Sequence, residues 1–406
     1  MLLLDGLDKL NSNDRPQVVK RIKDFLDTDG EKCRVIITCR TQVYNQEFNQ
    51  EADQVLDVVE FSDQQIRRFL GAWKSEIPAD KSIEQLIQTL RERPRIMALA
   101  RNPLLLTIIA YLYTDTTFIL PHSRSEFYQQ ATDILLEKWD QSKPQSLPNQ
   151  YRGRDKRQVL QVLALYNQDS TNQESQDRRS MDYWVALEQV KSVLPLLNLP
   201  VENAEAILNE IVERSGLLLA IDGGQRYQFS HLTLQEFCAA AALSQRSEEL
   251  VIRFEKDKDA WREVVKLWCG LADQSTKLIR AIYAIEPITA FECLADANNV
   301  DPNLADEIIE YFKGQLGNGK NEDDITSAFG AVAASNRQGS RGITVFNYLK
   351  DTLLNAQQYS KSLASIATAL AKTNLPKAAD IIAQHYQDMS DHNHPLAISL
   401  RSEQLP

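Results

Sequence analysis

Met1-Leu2-Leu3-Leu4-Asp5-Gly6-Leu7-Asp8 opens the chain with a short apolar run that stops abruptly on acidic residues. Such a run suits a strand buried on both faces, as in a parallel sheet. Asp14 then caps a helix with Pro16 in its first turn. Val18, Val19, Ile22, Phe25 and Leu26 share one face of that helix, and Gly30 stops it. Cys33-Arg34-Val35-Ile36-Ile37 follows as a second apolar strand, ending in Thr38-Cys39-Arg40. Strand, helix and strand make a βαβ unit.

In an open parallel sheet, ligands collect at the carboxyl ends of strands. Asp5 and Asp8 stand at one such end, Thr38 and Arg40 at the other. A carboxylate there can hold Mg²⁺ through its waters, and an Arg nearby can meet a terminal phosphate. The plainer reading is that Asp5-Gly6 starts a turn and Arg40 caps a surface helix.

The whole chain has 406 residues at 46.2 kDa, room for several domains. Apolar residues make up 43% and charged residues 25%, which excludes a disordered or fibrous chain. Only 14 Gly and 14 Pro occur, too few for the turns of an all-β protein, so the expectation is mainly α with an α/β start. A net charge of −11 and a pI near 5.1 argue against nucleic-acid and anionic-membrane partners. The five cysteines form no C-x-x-C pair. Cys33 and Cys39 flank one strand, too far apart to bridge, so all read as thiols of a reducing compartment. The longest apolar stretch, Pro103–Tyr113, is eleven residues, about half a membrane span. No secretory signal opens the chain, and the expectation is a soluble, cytoplasmic protein.

Val55, Leu56, Val58, Val59 and Phe61 alternate enough to suggest the last strand of the first domain. Ser62-Asp63-Gln64-Gln65 then opens a helix carrying Ile66, Phe69, Leu70 and Trp73, and helices over 83–90, 96–113 and 127–139 follow. Pro144, Pro148 and five basic residues mark 141–157 as a linker or exposed loop with solvated charge. Residues 158–245 hold helices and then Gly216 to Phe229, a β-hairpin with a Gly-rich turn. Thr233 and Glu236 read as a capping box for the next helix. Helices with a hairpin suit a winged helix, here without a basic recognition face. Beyond residue 246 only helices are expected, over 260–273, 276–298, 303–313, 323–335, 343–355, 359–372 and 376–390. They form a HEAT-like array whose stacked pairs offer long binding surfaces. His385, Asp391, His392 and His394 read as a solvated tail.

Four pieces carry a family resemblance. Leu2-Leu3-Leu4-Asp5-Gly6-Leu7-Asp8 resembles the Walker B segment of NACHT-type NTPases, the STAND class of signalling ATPases and GTPases. Ile36-Ile37-Thr38-Cys39-Arg40 is similar to their sensor 1 strand, and Arg101-Asn102-Pro103-Leu104-Leu105-Leu106 to the Pro motif of the following helical domain. Phe229-Ser230-His231-Leu232-Thr233-Leu234-Gln235-Glu236-Phe237 resembles the winged-helix motif whose His reaches the nucleotide phosphates. The resemblance implies that Asp5 holds Mg²⁺ through water and Asp8 lies near the attacking water. It implies that Thr38 and Arg40 belong to the nucleotide site, with Arg40 sensing the γ-phosphate. Pro103 would pack by the base, and His231 would touch the β-phosphate of ADP. The implied layout is a partial P-loop NTPase parallel sheet over 1–61, a small helical domain over 62–142, a winged helix over 150–245 and the helical array over 246–406.

The family's phosphate loop should precede Asp5 by several tens of residues, and here Met1 stands four residues before it, so the chain is expected to start inside the domain. Lys9 stands where the family usually carries Glu, which removes a candidate base and repels Mg²⁺. ATP, ADP or GTP with Mg²⁺ is therefore expected only with a phosphate loop supplied, and enzymatic activity stays open. Gly314 to Asn321 fits G-x-x-x-x-G-K, but it follows a helix rather than a strand. Gly314 reads as a helix C-cap and Asn318-Gly319 as a turn. Expected partners are proteins along the helical array, with self-assembly when complete. The runner-up is a helical interaction scaffold with no nucleotide chemistry.

Overall fold

The computed structural model describes residues 1–7, 10, 14–29, 33–39, 44–114, 119–137, 149–170, 180–335, 341–355 and 360–390. Asp8, Lys9, Gly30, Arg40, Asp391, His392 and His394 lie outside them. The described residues are mostly helical, with two small sheets. The chain divides into two compact units, Met1–Val59 with Thr132–Ala242, and Glu60–Ala131 with Leu243–Pro406.

The chain's start folds as β1 (Leu2–Leu4), α1 (Arg15–Asp29) and β2 (Val35–Ile37). β1 and β2 pair in parallel, Leu2 beside Val35 and Leu4 beside Ile37. A parallel pair needs such a crossover, because a short turn cannot bring the chain back to the same end. The sheet is not buried on both faces as the apolar runs imply: Leu3 and Ile36 are 61% and 51% exposed. Side chains alternate across a strand, and the face carrying these two is left uncovered. The expected strand over 53–61 does not form either. Val55, Leu56, Val58 and Val59 are all exposed, because no described strand lies alongside to pair with them.

Next come α2 (Asp63–Gly71), α3 (Ile83–Glu92), α4 (Pro94–Ala100), α5 (Pro103–Tyr113) and α6 (Arg124–Glu137). Ser62 with Gln65, and Ser82 with Gln85, form capping boxes at α2 and α3. The stretch 96–113, read as one helix, is two helices bent by 113°. Pro103 has no N–H to continue α4, and Asn102 Oδ1 accepts the Leu104 and Leu105 N–H groups at 2.9 and 3.2 Å. Among the described residues no single helix is long and apolar enough to cross a membrane.

Then follow α7 (Gly153–Asp169), β3 (Ser180–Asp182), α8 (Tyr183–Val193), α9 (Ala204–Ser215), β4 (Leu218–Ile221), β5 (Arg226–Phe229) and α10 (Leu232–Ala242). Gly216, at φ +66°, ends α9, and Asp222, Gly223 and Gly224 turn the expected hairpin with positive φ throughout. The sheet gains an unanticipated third strand, in the antiparallel order β3-β5-β4. Residues 153–157 are not exposed loop but the opening of α7, with Asp155 and Lys156 buried.

The remaining helices are α11 (Ser247–Lys256), α12 (Lys258–Leu271), α13 (Thr276–Ile285), α14 (Pro287–Asp296), α15 (Pro302–Lys313), α16 (Glu322–Ala333), α17 (Arg341–Leu354), α18 (Lys361–Ala371) and α19 (Pro376–Ser390). The stretch 276–298 is two helices, since Pro287 starts a new one that the Glu286 carboxylate caps through the Thr289 N–H at 2.6 Å. α12, α14, α16 and α18 pack successively in one row, with α11 packed on α13 at one end and α17 on α19 at the other. Phe291 stacks on Phe312 and meets Phe329 edge-on, with centroids 4.8 and 4.7 Å apart.

A buried ion cluster ties α4 and the start of α6 to this row. Arg95 and Arg124 donate to Asp296 Oδ2 at 2.5 and 3.0 Å, and Arg124 also pairs with Glu263. Asp296 has no exposed side-chain surface. Burial alone would raise its carboxyl above 3.8, but Arg124 and Arg95 hold it down at about 2.

Candidate functional site

The parallel register of β1 and β2 sets Leu4 beside Ile37, so the next residues, Asp5 and Thr38, leave the sheet side by side. Thr38 Oγ1 donates to Asp5 Oδ1 at 2.6 Å and accepts the Gly6 N–H at 3.0 Å. The Leu7 N–H donates to the Thr38 carbonyl at 2.9 Å, which closes the turn over the strand end. Gly6 sits at φ +82°, a backbone state that glycine adopts at low cost. Asp5 and Thr38 are both exposed. An open carboxylate steadied by a hydroxyl is a donor set that fits hydrated Mg²⁺, which binds proteins through one or two carboxylates and keeps several waters. The companion candidates Asp8 and Arg40 lie outside the described residues.

His231 stands between β5 and α10, half-buried. Its carbonyl accepts the Leu234 N–H, so it sits where α10 begins. Thr233 lies inside the first turn of α10, not at the cap position that its pairing with Glu236 suggested. The Thr233 hydroxyl lies 2.6 Å from His231 Nδ1, and the Thr233 N–H donates to the same nitrogen at 3.4 Å. An N–H can only donate, so this contact is satisfied in the tautomer whose ring proton is on Nε2, and in that tautomer Nε2 is the donor nitrogen. Pro103 is the first residue of α5, exposed, and belongs to the other unit.

Behind His231, α10 packs along α7. Gln235 is fully buried between them, accepting from Asn167 at 3.3 Å and donating to Gln168 at 3.1 Å. Lys156, 1% exposed, donates to Glu210 Oε1 at 2.9 Å, and the Gln150 N–H donates to Oε2 at 2.9 Å. Arg157 pairs with Asp133. Sequence reading missed these groups, although the spacing of Lys156, Val159, Leu160 and Leu163 places the lysine on the apolar face of α7. Burial pushes the Cys238 thiol up to about 12, so it is inert as a nucleophile.

The Gly-rich loop after α15 is already occupied. The Glu322 carboxylate accepts the Gly317 and Gly319 N–H groups, each at 3.0 Å. Amides that a phosphate would use are turned onto the chain's own anion.

Helices α7 to α9, a three-stranded wing and α10 make a winged helix in which the last helix is packed inward. The profile of the winged helix-turn-helix domain C-terminal to NACHT matches residues 124–243. Residues 124–243 are a winged helix of the kind that follows a NACHT domain. The matched stretch runs from the start of α6 to just past the end of α10, with His231 at the junction of wing and final helix. No curated protein matches the chain in sequence.

Proposed function

We propose that this NACHT-type chain is the regulatory part of a nucleotide-dependent signalling switch of the STAND class. The observation that carries the reading is the Asp5–Thr38–Gly6 arrangement at two parallel strand ends, in a chain with a NACHT-associated winged helix. Residues 1–61 are then the end of a P-loop NTPase sheet, 62–142 a small helical domain, 150–245 the winged helix and 246–406 a HEAT-like array. Asp5 holds Mg²⁺ through water, oriented by Thr38. Asp8 orients the attacking water, Arg40 reads the γ-phosphate and Pro103 packs by the base. His231 Nε2 donates to the β-phosphate of ADP. Bound Mg²⁺ would neutralise phosphate charge, and the phosphate loop is supplied in addition to these residues.

Proteins are the partners, met along the helical array, and assembly accompanies the nucleotide-loaded state. Nucleic acid is disfavoured because the exposed face of α9, the helix before the wing, carries Glu205 and Glu213 against one basic residue, Arg214. The successive packing of α12, α14, α16 and α18 also suits the second reading, a scaffold without nucleotide chemistry.

The test is Mg-ADP titration into the chain joined to a phosphate-loop half of a NACHT domain. Asp5→Asn should abolish the Mg²⁺ dependence of affinity. Unchanged Mg²⁺ dependence contradicts the switch and favours the scaffold.

A further inference from the structure

Helix α15 turns Leu304, Ala305, Ile308, Ile309 and Phe312 inward and leaves Asp306, Glu307, Glu310 and Tyr311 on its solvent face. Two of these carboxylates border a tyrosine ring of a neighbouring helix. Glu310 lies by Tyr348 of α17, and Lys313 completes that group. Its Nζ stands 4.4 Å over the Tyr348 ring and 2.5 Å from the Glu310 carboxylate. Arg253 repeats the arrangement, 5.7 Å over the Trp261 ring and 3.2 Å from Glu249. A cation shared between a ring face and a carboxylate is therefore a contact this fold makes for itself.

The second group on α15 has the ring and the carboxylate without the cation. Glu307 and Tyr311 are one turn apart on one face, and Tyr283 of α13 meets Tyr311 edge-on with centroids 6.2 Å apart. Burial, then the nearby Glu307 carboxylate and Tyr311, hold the Tyr283 hydroxyl above its usual range, so the three side chains share one place. Tyr311 is 47% exposed. Among the described residues Glu307 has no ion pair and no cation stands over Tyr311. Arg280, one turn before Tyr283, is exposed and pairs with neither.

We infer that Glu307, Tyr311 and Tyr283 form a binding site for an arginine side chain presented by a partner protein. A guanidinium is planar and weakly hydrated, so it stacks on a phenol ring and still gives two parallel N–H groups to a carboxylate. An ammonium offers only a point charge. Asp306, exposed beside Glu307, and the net charge of −11 favour the approach of a basic segment and oppose an acidic one. The inference rests on the reading of the helical array as a protein-binding surface and names the partner's chemistry. It uses neither Asp5 nor His231.

The test is fluorine NMR of the full 406-residue chain labelled with fluorotyrosine. It is titrated with a glycine–serine peptide bearing arginines and with the same peptide bearing lysines. Saturable shifts of the Tyr311 and Tyr283 signals are expected, with the lysine peptide weaker by about threefold or more. Tyr311→Phe should keep the affinity, read on Tyr283, because the ring and not the hydroxyl holds the cation. Tyr311→Leu and Glu307→Gln should each weaken binding about three- to fivefold. Glu248→Gln removes an exposed carboxylate on α11 and should change nothing. All these side chains are at the surface, so unchanged circular dichroism spectra are expected. Equal affinity for the two peptides, or equal weakening by Glu248→Gln, would mean bulk charge alone and overturn the site. A flat titration would overturn it too, while leaving the array open to partners of other chemistry. A chain that sediments as a dimer, and as a monomer after Tyr311→Leu, would give this face to a second copy and overturn the inference.

Discussion

Asp296 carries a full charge with no solvent contact, which is stable only because Arg95 and Arg124 converge on one of its oxygens. Its carboxyl is depressed from 3.8 to about 2, so the folded state resists protonation. The stabilisation is present above about pH 4 and is lost as pH falls toward about 2, amounting to roughly 2 kcal/mol. Asp296→Asn should cost about 3–5 kcal/mol at neutral pH, since it removes the buried charge that Arg95 pairs with and that Arg124 shares with Glu263. Denaturant unfolding of both proteins should show the gap narrowing below about pH 4, and a pH-independent gap contradicts this account. Lys156 is the matching case in the winged helix. Lys156→Met should cost about 3–5 kcal/mol by leaving Glu210 buried and unpaired. Adding Glu210→Gln should recover most of that loss, because the amide oxygen still accepts the Gln150 N–H. A double variant as unstable as the single would mean that packing, not charge, sets the cost.

Among the elements, the βαβ start and the wing sheet differ in protection. Among the described residues no further strand joins β1 and β2, and one face of the pair is wet, whereas β5 is flanked on both sides and backed by helices. Amide exchange should be much faster in residues 1–59 than in residues 180–242, and equal protection would show that the first sheet is covered in some other way. At the α4–α5 break, Asn102→Ala should cost about 1 kcal/mol, read as a lower unfolding midpoint, because two N–H groups lose their acceptor. Elements were legible where short-range rules decide them. Leu2–Leu4 and Val35–Ile37 are uniform apolar runs, Ser62 and Gln65 spell a capping box, and the Gly223-Gly224 turn fixes its hairpin. The failures share a cause: the outcome depends on a neighbour distant in sequence. Val55–Val59 alternates like a strand but has no strand beside it, and Ser180–Asp182 has no pattern yet finds an edge of β5. Pro103 and Pro287 were visible breaks within 96–113 and 276–298, outweighed in reading by the apolar periodicity across them. Of the site, Asp5 and Thr38 were readable as strand ends, while the Thr233 contact with His231 Nδ1 depends on where α10 begins.

For the whole molecule, the net charge of −11 opposes association with polyanions. Nucleotide binding by these 406 residues alone should be negligible. A phosphate loop supplies several charge-assisted hydrogen bonds at about 1.5–3 kcal/mol each, and losing four exceeds or nearly cancels the roughly 8 kcal/mol of micromolar binding. Calorimetry with Mg-ATP should show no saturable heat at micromolar ligand, and a stoichiometric site would reopen the Gly-rich loop at Glu322. The central claim is that nucleotide state is read by the winged helix through His231 Nε2. The most direct measurement is ADP affinity of the chain joined to a phosphate-loop half, as wild type and as His231→Ala. A ligand shifts an equilibrium only by its differential affinity for the two states. The account predicts ADP binding weakened by about 1.5–3 kcal/mol, one charge-assisted hydrogen bond, with the open form favoured. Unchanged ADP affinity would make the histidine a structural cap of α10 and contradict the switch.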